Sequence, residues 1–217
     1  KTLKYILQAN EFLSLPKVMR RVVFYSEGKN YWPLFKGLID GILDQSDLNV
    51  CYISSGKDDP GFEYSDNHFK SFLIDDSYVR NWLFENMQAD VLIMTMPDLN
   101  NYQVKRSKHP VHYIYLQHNL LSLHMSYRHG AFDWFDTVFC AGPHHVNEIR
   151  SLEEKYNLPQ KKILEHGYAR LDSIIKHKQP SKVENKTKHA LFAPSWGINA
   201  VIELGLGGQV VEKLLSL

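Results

Sequence analysis

The sequence of 217 residues predicts a doubly wound α/β domain, followed by the first strand and helix of a second, similar domain. Two observations predict this fold class. Short apolar segments typical of strands alternate with longer amphipathic segments typical of helices. Several strand segments are apolar almost throughout, as in parallel strands that helices cover on both faces. This alternation favours a mostly parallel sheet with right-handed crossovers.

Seven segments are predicted to be strands of the first domain. Each is short, rich in Val, Ile, Tyr and Phe, and bounded by Gly, Pro, Asp or Ser. The segments are residues 21–26, 49–55, 69–74, 90–96, 111–117, 136–142 and 162–167.

The predicted helices lie between these strands. The first has apolar residues at steps of three and four from Tyr31 to Leu43. The second covers residues 78–87, and the third begins at Pro143 and ends near Asn157. Residues 1–17 are expected to form a helix packed on the domain. The alternative for this leading segment is an interfacial element that touches the inner membrane surface.

A shift in composition divides the chain. Residues 18–178 contain the seven predicted strands and are expected to form one Rossmann-like domain. Residues 179–188 are polar and rich in lysine, which is typical of an exposed linker. After them come the apolar run HALFAPS at 189–195, which is predicted to be a strand, and a predicted helix from about Ala200 to Leu217. Such a unit cannot bury its own faces, so residues 189–217 are expected to be the incomplete start of a second domain.

Composition and charge exclude several functional classes. The formal net charge is +1, from 25 basic and 24 acidic residues, so nucleic acid is not expected as a partner. Cys51 and Cys140 lie in apolar runs and are expected to be buried, reduced thiols, as in a reducing compartment. No secretory signal and no apolar stretch of membrane-spanning length is visible, which predicts a cytoplasmic location. There is also no P-loop motif and no hydrolase nucleophile elbow.

Ligands of parallel α/β sheets bind outside the carboxyl ends of the strands, which directs attention to the loops there. His118 follows a buried strand and could act as a general base, or could simply hydrogen-bond backbone. After the first strand, Gly28 could let the backbone approach an anion beside Glu27. His124 and Arg128 could add positive charge for a phosphate.

Three other loops carry candidate site residues. The adjacent His144 and His145 should point apart on a helix and have no further ligand at a familiar spacing, so no metal is expected. Arg170 and Asp172 flank Leu171, which is expected to be buried, and they could form a salt bridge or touch a ligand. A turn of small residues could place backbone amides and a hydroxyl against a donor phosphate; it contains Ser195, Trp196 and Gly197.

Three stretches resemble the CDP-glycerol glycerophosphotransferase family of teichoic-acid and capsule primases and polymerases. They are YLQH at 115–118, HGYARLDSII at 166–175 and LFAPSWG at 191–197. The segment GAFDWFDTVFCAGP at 130–143 is also similar. The resemblance covers residues 111–217 and implies a glycosyltransferase-B architecture, in which two Rossmann-like halves face each other across a cleft.

The resemblance also implies a reaction: transfer of glycerol phosphate from CDP-glycerol to a hydroxyl of a lipid-linked acceptor, at the cytoplasmic membrane surface. Residues 18–178 would be the acceptor-side half, and residues 189–217 would begin the nucleotide-binding half. His118 would be the base, Asn119 beside it would contact the substrate, and Ser195, Trp196 and Gly197 would line the cleft. No cofactor is implied beyond the nucleotide-linked donor, which is a substrate. The principal donor-binding residues would follow Leu217, so this chain alone is expected to be inactive.

One departure from the family pattern leaves alternatives open. Family members continue the histidine with a Gly-Thr-Pro-Leu-Lys-like stretch, whereas His118 is followed by Asn119-Leu120-Leu121-Ser122. This places the chain in a divergent branch and leaves the donor and the acceptor undecided. A sugar transferase or nucleotide-sugar epimerase of the same fold is the first alternative. The second is a non-catalytic domain that scaffolds polymer assembly or docks on the membrane.

Overall fold

The computed structural model describes residues 2–102, 104–176, 191–194, 205 and 207–216. The chain divides into two units, Lys1–Lys178 and Gln179–Leu217. The candidate site lies entirely within the first unit.

Seven strands form one sheet in the first unit, and every pairing between them is parallel. The strands are β1 (Val22–Ser26), β2 (Val50–Ser54), β3 (Phe69–Leu73), β4 (Val91–Met94), β5 (His112–Leu116), β6 (Thr137–Cys140) and β7 (Lys162–Glu165). Their order across the sheet is β3-β2-β1-β4-β5-β6-β7. The predicted doubly wound, Rossmann-like α/β class is confirmed, and each predicted strand is present in a slightly shorter form.

Helices connect these strands, and a further helix lies in the second unit. Those of the first unit are α1 (Thr2–Ser14), α2 (Trp32–Gln45), α3 (Ser77–Asn86), α4 (Leu123–Ser126), α5 (Pro143–Tyr156) and α6 (Ala169–Lys176). Local chemistry fixes several ends. The Asp76 carboxylate accepts the first free amides of α3. At α5, Pro143 occupies the first turn and Asn157 closes the helix in the left-handed conformation, with φ 51°.

Helices cover both faces of the sheet, which explains the apolar strands. Alternate residues of β1 enter opposite cores, because side chains of a strand point to opposite faces. Val23 and Tyr25 pack in the core beneath α1, α3 and α5. Val22 and Phe24 pack in the core beneath α2. α6 packs against α2 on that second face.

The leading helix belongs to the domain. Tyr5, Ala9 and Phe12 recur at helical spacing and are buried, and the Phe12 ring meets Phe72 of β3 edge-on at 5.5 Å. The expectation of a helix packed on the domain is therefore confirmed over residues 2–14. A short 3-10 turn, Lys17–Arg20, connects α1 to the sheet.

The second unit is described over a few residues only. Leu191–Pro194, from the strand predicted at 189–195, carries no ladder pairing, and Leu191 is exposed. A strand needs a neighbour to hydrogen-bond with, and this segment has none among the described residues. The helix predicted from about residue 200 is seen as α7 (Gly207–Leu215). In the parts of the chain that the structure describes, no helix is long and apolar enough to cross a membrane.

Candidate functional site

The sheet order creates a crevice at one point. The chain leaves β1 towards β2 on one side, while β4 and β5 lie on the other. The loops after these strands therefore separate at the β1–β4 boundary, where ligands of such folds bind. Glu27 lies after β1, Thr95 after β4 and His118 after β5. The predicted site residues Glu27 and His118 thus share this edge of the sheet.

His118 lies in a cluster of polar groups just past β5. The Tyr115 hydroxyl is 3.1 Å from its Nδ1, and the Tyr127 hydroxyl is 3.3 Å from its Nε2. The ring also hydrogen-bonds the backbone of Thr95. Because these partners come from β5, from the loop after β4 and from the end of α4, the imidazole orientation is fixed by tertiary structure.

Two further tyrosines complete what we call the tyrosine cluster, which consists of Tyr31, Tyr115, Tyr127 and Tyr168. The Tyr31 ring meets the His118 ring edge-on at 5.8 Å. The Tyr168 hydroxyl donates a hydrogen bond of 3.0 Å to the His118 carbonyl oxygen. Aromatic rings and hydroxyls therefore surround His118, which leaves the side chain only partly exposed.

The environment keeps His118 neutral. Burial lowers its pKa below the usual value, and the charge of the Arg170 guanidinium lowers it further. The bond to the Thr95 backbone acts in the opposite direction and is outweighed. An imidazole with a lowered pKa is unprotonated near neutral pH and can accept a proton. The alternative of a histidine that only hydrogen-bonds backbone explains the Thr95 bond, but not the two hydroxyls.

The neighbouring hydroxyls remain protonated. Burial raises the pKa of Tyr115 well above its usual value and also raises that of Tyr127. The Asn119 amide donates to the Tyr127 oxygen at 2.7 Å, and its own oxygen accepts the Leu121 amide at 3.0 Å. Asn119 therefore holds the loop and Tyr127 in place, and its predicted contact with a ligand stays a prediction.

Glu27 and Gly28 occupy the loop after β1. Glu27 is exposed, but partial desolvation of its carboxylate raises its pKa above the usual value. The charge of Arg80 and a hydrogen bond with Tyr31 lower the pKa and are outweighed. Gly28 has φ +146° and faces Gly56, where an added Cβ would lie 2.6 Å from the Gly28 Cα. The close approach of two loops thus accounts for this glycine, and a ligand contact stays a prediction.

A buried carboxylate holds these loops together and was missed by sequence reasoning. Asp59 accepts hydrogen bonds from the hydroxyls of Ser26 (2.9 Å), Ser54 (2.6 Å) and Tyr52 (2.9 Å), and from the Gly61 amide (2.9 Å). Its sequence signal is faint. Each of the two strands ends in a Ser-x-Gly motif, Ser26–Gly28 after β1 and Ser54–Gly56 after β2. Asp59, three positions after Gly56, completes the network.

His124 and Arg128 do not contact His118; both line a neighbouring groove, which lies between α5 and the segment from α4 to β6. Arg128 pairs with Asp98 at 3.4 Å and stacks on the Tyr102 ring at 4.8 Å. His124 is exposed on α4 and lines the same groove. Only Tyr127 belongs both to this groove and to the tyrosine cluster.

Arg170 reaches the site from α6. Its guanidinium donates a 2.8 Å hydrogen bond to the Asn30 carbonyl in the loop after β1. Leu171 is 45% exposed, so the expectation of a buried leucine between Arg170 and Asp172 is wrong. Residues 169–176 form a surface helix without a buried residue, so Leu171 is exposed like Ile174 and Ile175 of the same helix.

The expectation that His144 and His145 point apart is wrong, because their rings lie 3.9 Å from each other. Both lie in the first turn of α5 and reach towards the carbonyls of Leu120 (3.2 Å) and Leu121 (2.9 Å). His145 is buried, and burial lowers its pKa; the same effect lowers the pKa of His166. In the described residues, no three His, Cys, Asp or Glu side chains are grouped as a metal site would require.

The remaining expectations have different outcomes. Cys51 and Cys140 are free and buried, as expected. The predicted turn of Ser195, Trp196 and Gly197 lies outside the described residues.

Comparison with known proteins found no family model, no curated protein and no solved structure that this chain matches. What the fold and the site define is therefore a class, a Rossmann-like α/β domain with a partly buried histidine of lowered pKa at the carboxyl ends of its strands.

Proposed function

We propose that this chain is part of a transferase that moves a polyol phosphate, glycerol phosphate in the first instance, from a CDP-linked donor to a hydroxyl of a lipid-linked acceptor. The observation that carries the proposal is His118, a partly buried imidazole with a lowered pKa at the carboxyl end of β5. The stretches at 115–118, 166–175 and 191–197, which resemble the glycerophosphotransferase family, support the same reaction.

In the proposed reaction, His118 accepts the proton of the acceptor hydroxyl as its oxygen attacks the donor phosphorus. A new phosphorus–oxygen bond forms, the bond to the leaving phosphate breaks, and CMP leaves with that electron pair. The protonated tyrosine hydroxyls around the ring would hold the imidazole in place during the transfer. Arg170 lies close enough to lower the His118 pKa, so it also supplies positive charge near the reacting groups.

The acceptor sets where the reaction takes place. A lipid-linked acceptor requires the protein to work at the inner surface of the cell membrane, so peripheral attachment there is part of the proposal. A surface contact is the mode of attachment that the proposal tests. Sedimentation with anionic liposomes measures it.

The reaction is tested by nucleotide release. The longest natural form of the protein that contains this chain is incubated with lipid-linked acceptor and either labelled CDP-glycerol or a panel of UDP-sugars. CMP release from a CDP-polyol supports the proposal. No CMP release from any CDP-polyol refutes it, and UDP release from a sugar donor favours a sugar transferase on the same fold instead.

The role of His118 is tested in the same assay. His118→Ala should abolish turnover while donor affinity stays close to that of the wild type, because a base acts on the acceptor. The matched control is His109→Ala, an exposed histidine before β5, at the opposite edge of the sheet. Turnover that survives in His118→Ala rules out His118 as the base.

A further inference from the structure

A groove with a volume of about 500 Å³ lies beside the tyrosine cluster, between α5 and the segment that runs from α4 to β6. This volume is within the range of small-molecule sites. Its walls are mixed: Leu123, Phe132 and Leu152 are apolar, whereas most of the remaining lining side chains are polar or charged. The groove is therefore suited to a ligand that has both an apolar or sugar part and a charged part.

Basic side chains converge on this groove from separate segments. His124 comes from α4, Arg128 and His129 come from the following loop, and Lys155 comes from α5. Asp133 is the one carboxylate among the residues that line it. Arg128 and Lys155 thus outnumber the acid, while the whole chain is nearly neutral with a formal net charge of +1. The positive charge here is local.

Aromatic rings hold these basic groups in position. The Tyr156 ring lies 4.0 Å from the His129 ring, and the Lys155 ammonium lies 5.1 Å from the centre of the Tyr156 ring. On the other side, Arg128 stacks on Tyr102 at 4.8 Å. Because stacking restricts these side chains before any ligand arrives, less entropy is lost when they bind one.

The charges are also available to a ligand. The nearest approach of Arg128 to Asp98 is 3.4 Å, and the Arg128 side chain is 61% exposed. Exposed ion pairs of this kind are weak. A phosphate offers guanidinium two parallel charge-assisted hydrogen bonds, which compete well with such a contact. Lys155 has no carboxylate within salt-bridge distance in the described part of the chain.

We propose that this groove binds a phosphate ester or pyrophosphate through Arg128, His129 and Lys155, with the rest of the ligand against the apolar wall. Tyr127 lines the groove and lies 3.3 Å from His118 Nε2. A phosphate bound here would hold the hydroxyl of the same molecule near His118. The ligand would then be the acceptor of the proposed transfer. That identification rests on the proposed function, whereas anion binding by the groove does not.

Binding is measured by calorimetry on this chain with inorganic pyrophosphate and with glycerol 3-phosphate. Vesicles of phosphatidylglycerol and of phosphatidylcholine form the second arm. The Arg128→Gln and Lys155→Gln double variant should weaken pyrophosphate binding by about tenfold or more, because each change removes a charge-assisted contact. The control, Lys4→Gln, removes one positive charge from an exposed lysine and should leave affinity unchanged, because α1 contacts β3, far along the strand order from β6.

The outcomes separate cleanly when circular dichroism shows that each variant is folded. Binding of a soluble phosphate that depends on Arg128 and Lys155 supports a free phosphate ligand. Binding only to phosphatidylglycerol vesicles, with the same dependence, supports a lipid phosphate. No binding in either arm, or binding that the double variant retains, overturns the proposal. If pyrophosphate binds as expected while no CDP-polyol releases CMP, the groove stands and the proposed transferase reaction falls.

Discussion

Replacement of Asp59 by alanine gives the sharpest test of how the site is held. Asp59 is 2% exposed and accepts four hydrogen bonds that tie the loops after β1 and β2 together. Asp59→Ala removes the acceptor and leaves the donors in place. A buried donor without a partner costs about 1–3 kcal/mol, which is more than the net gain of an ordinary hydrogen bond.

The magnitude follows from which donors find a new partner. The Ser26 hydroxyl can turn to the Gly28 carbonyl oxygen, 3.0 Å away, and Tyr52 lies within hydrogen-bonding reach of Ser26. The Ser54 hydroxyl and the Gly61 amide have no comparable acceptor among the hydrogen bonds of the described residues. Two stranded donors give a loss of about 2–6 kcal/mol in the free energy of unfolding. That is a large part of the 5–15 kcal/mol typical of a domain.

Urea unfolding followed by circular dichroism measures this loss from the midpoint at constant slope. The neighbouring residue provides the control. Asp58 is exposed and pairs with the exposed Lys29, so Asp58→Ala should unfold like the wild type. A loss of less than about 1 kcal/mol in Asp59→Ala would show that the buried network does not hold the two loops and would refute the reasoning.

Three other predictions concern packing, pH and thiol chemistry. Gly56→Ala would place its Cβ 2.6 Å from the Gly28 Cα and should destabilise the unit by about 1–3 kcal/mol. Gly37→Ala in α2, where the added Cβ meets no atom within 4 Å, should stabilise it by about 0.5–1 kcal/mol. Equal melting temperatures for the two variants would contradict this. The histidines with lowered pKa stay neutral in the folded state, so as pH falls below about 6.5 the unfolded chain takes up protons first and the free energy of unfolding should decrease. A stability that is flat from about pH 7.5 to 5 would count against it. Burial raises the pKa of Cys51 to about 12 and that of Cys140 to about 11, so a thiol reagent at about pH 8 should modify both only after unfolding; rapid labelling of the native chain would show that they are accessible.

The amino-acid sequence by itself determined the fold class of the first unit, its strands and the helices α1, α2, α3 and α5; it did not predict α4 or α6. Strands and helices have different apolar periods, and these periods are local properties of the chain. The ends were also readable where a single residue type specifies the backbone, as with Pro143 and Asn157 at the two ends of α5. The position of His118 at a strand end followed from the same local pattern.

Only the tertiary structure decided what surrounds His118. The partners come from residues as far apart as Tyr31 and Tyr168, and they meet because the sheet order places β1 beside β4. Strand order depends on long-range packing, which leaves no periodic trace in the sequence. The separation of Arg128 from His118 has the same origin, since the loop after α4 turns towards α5. Sequence spacing placed the two residues together, and packing of the chain placed them in adjoining sites linked by Tyr127.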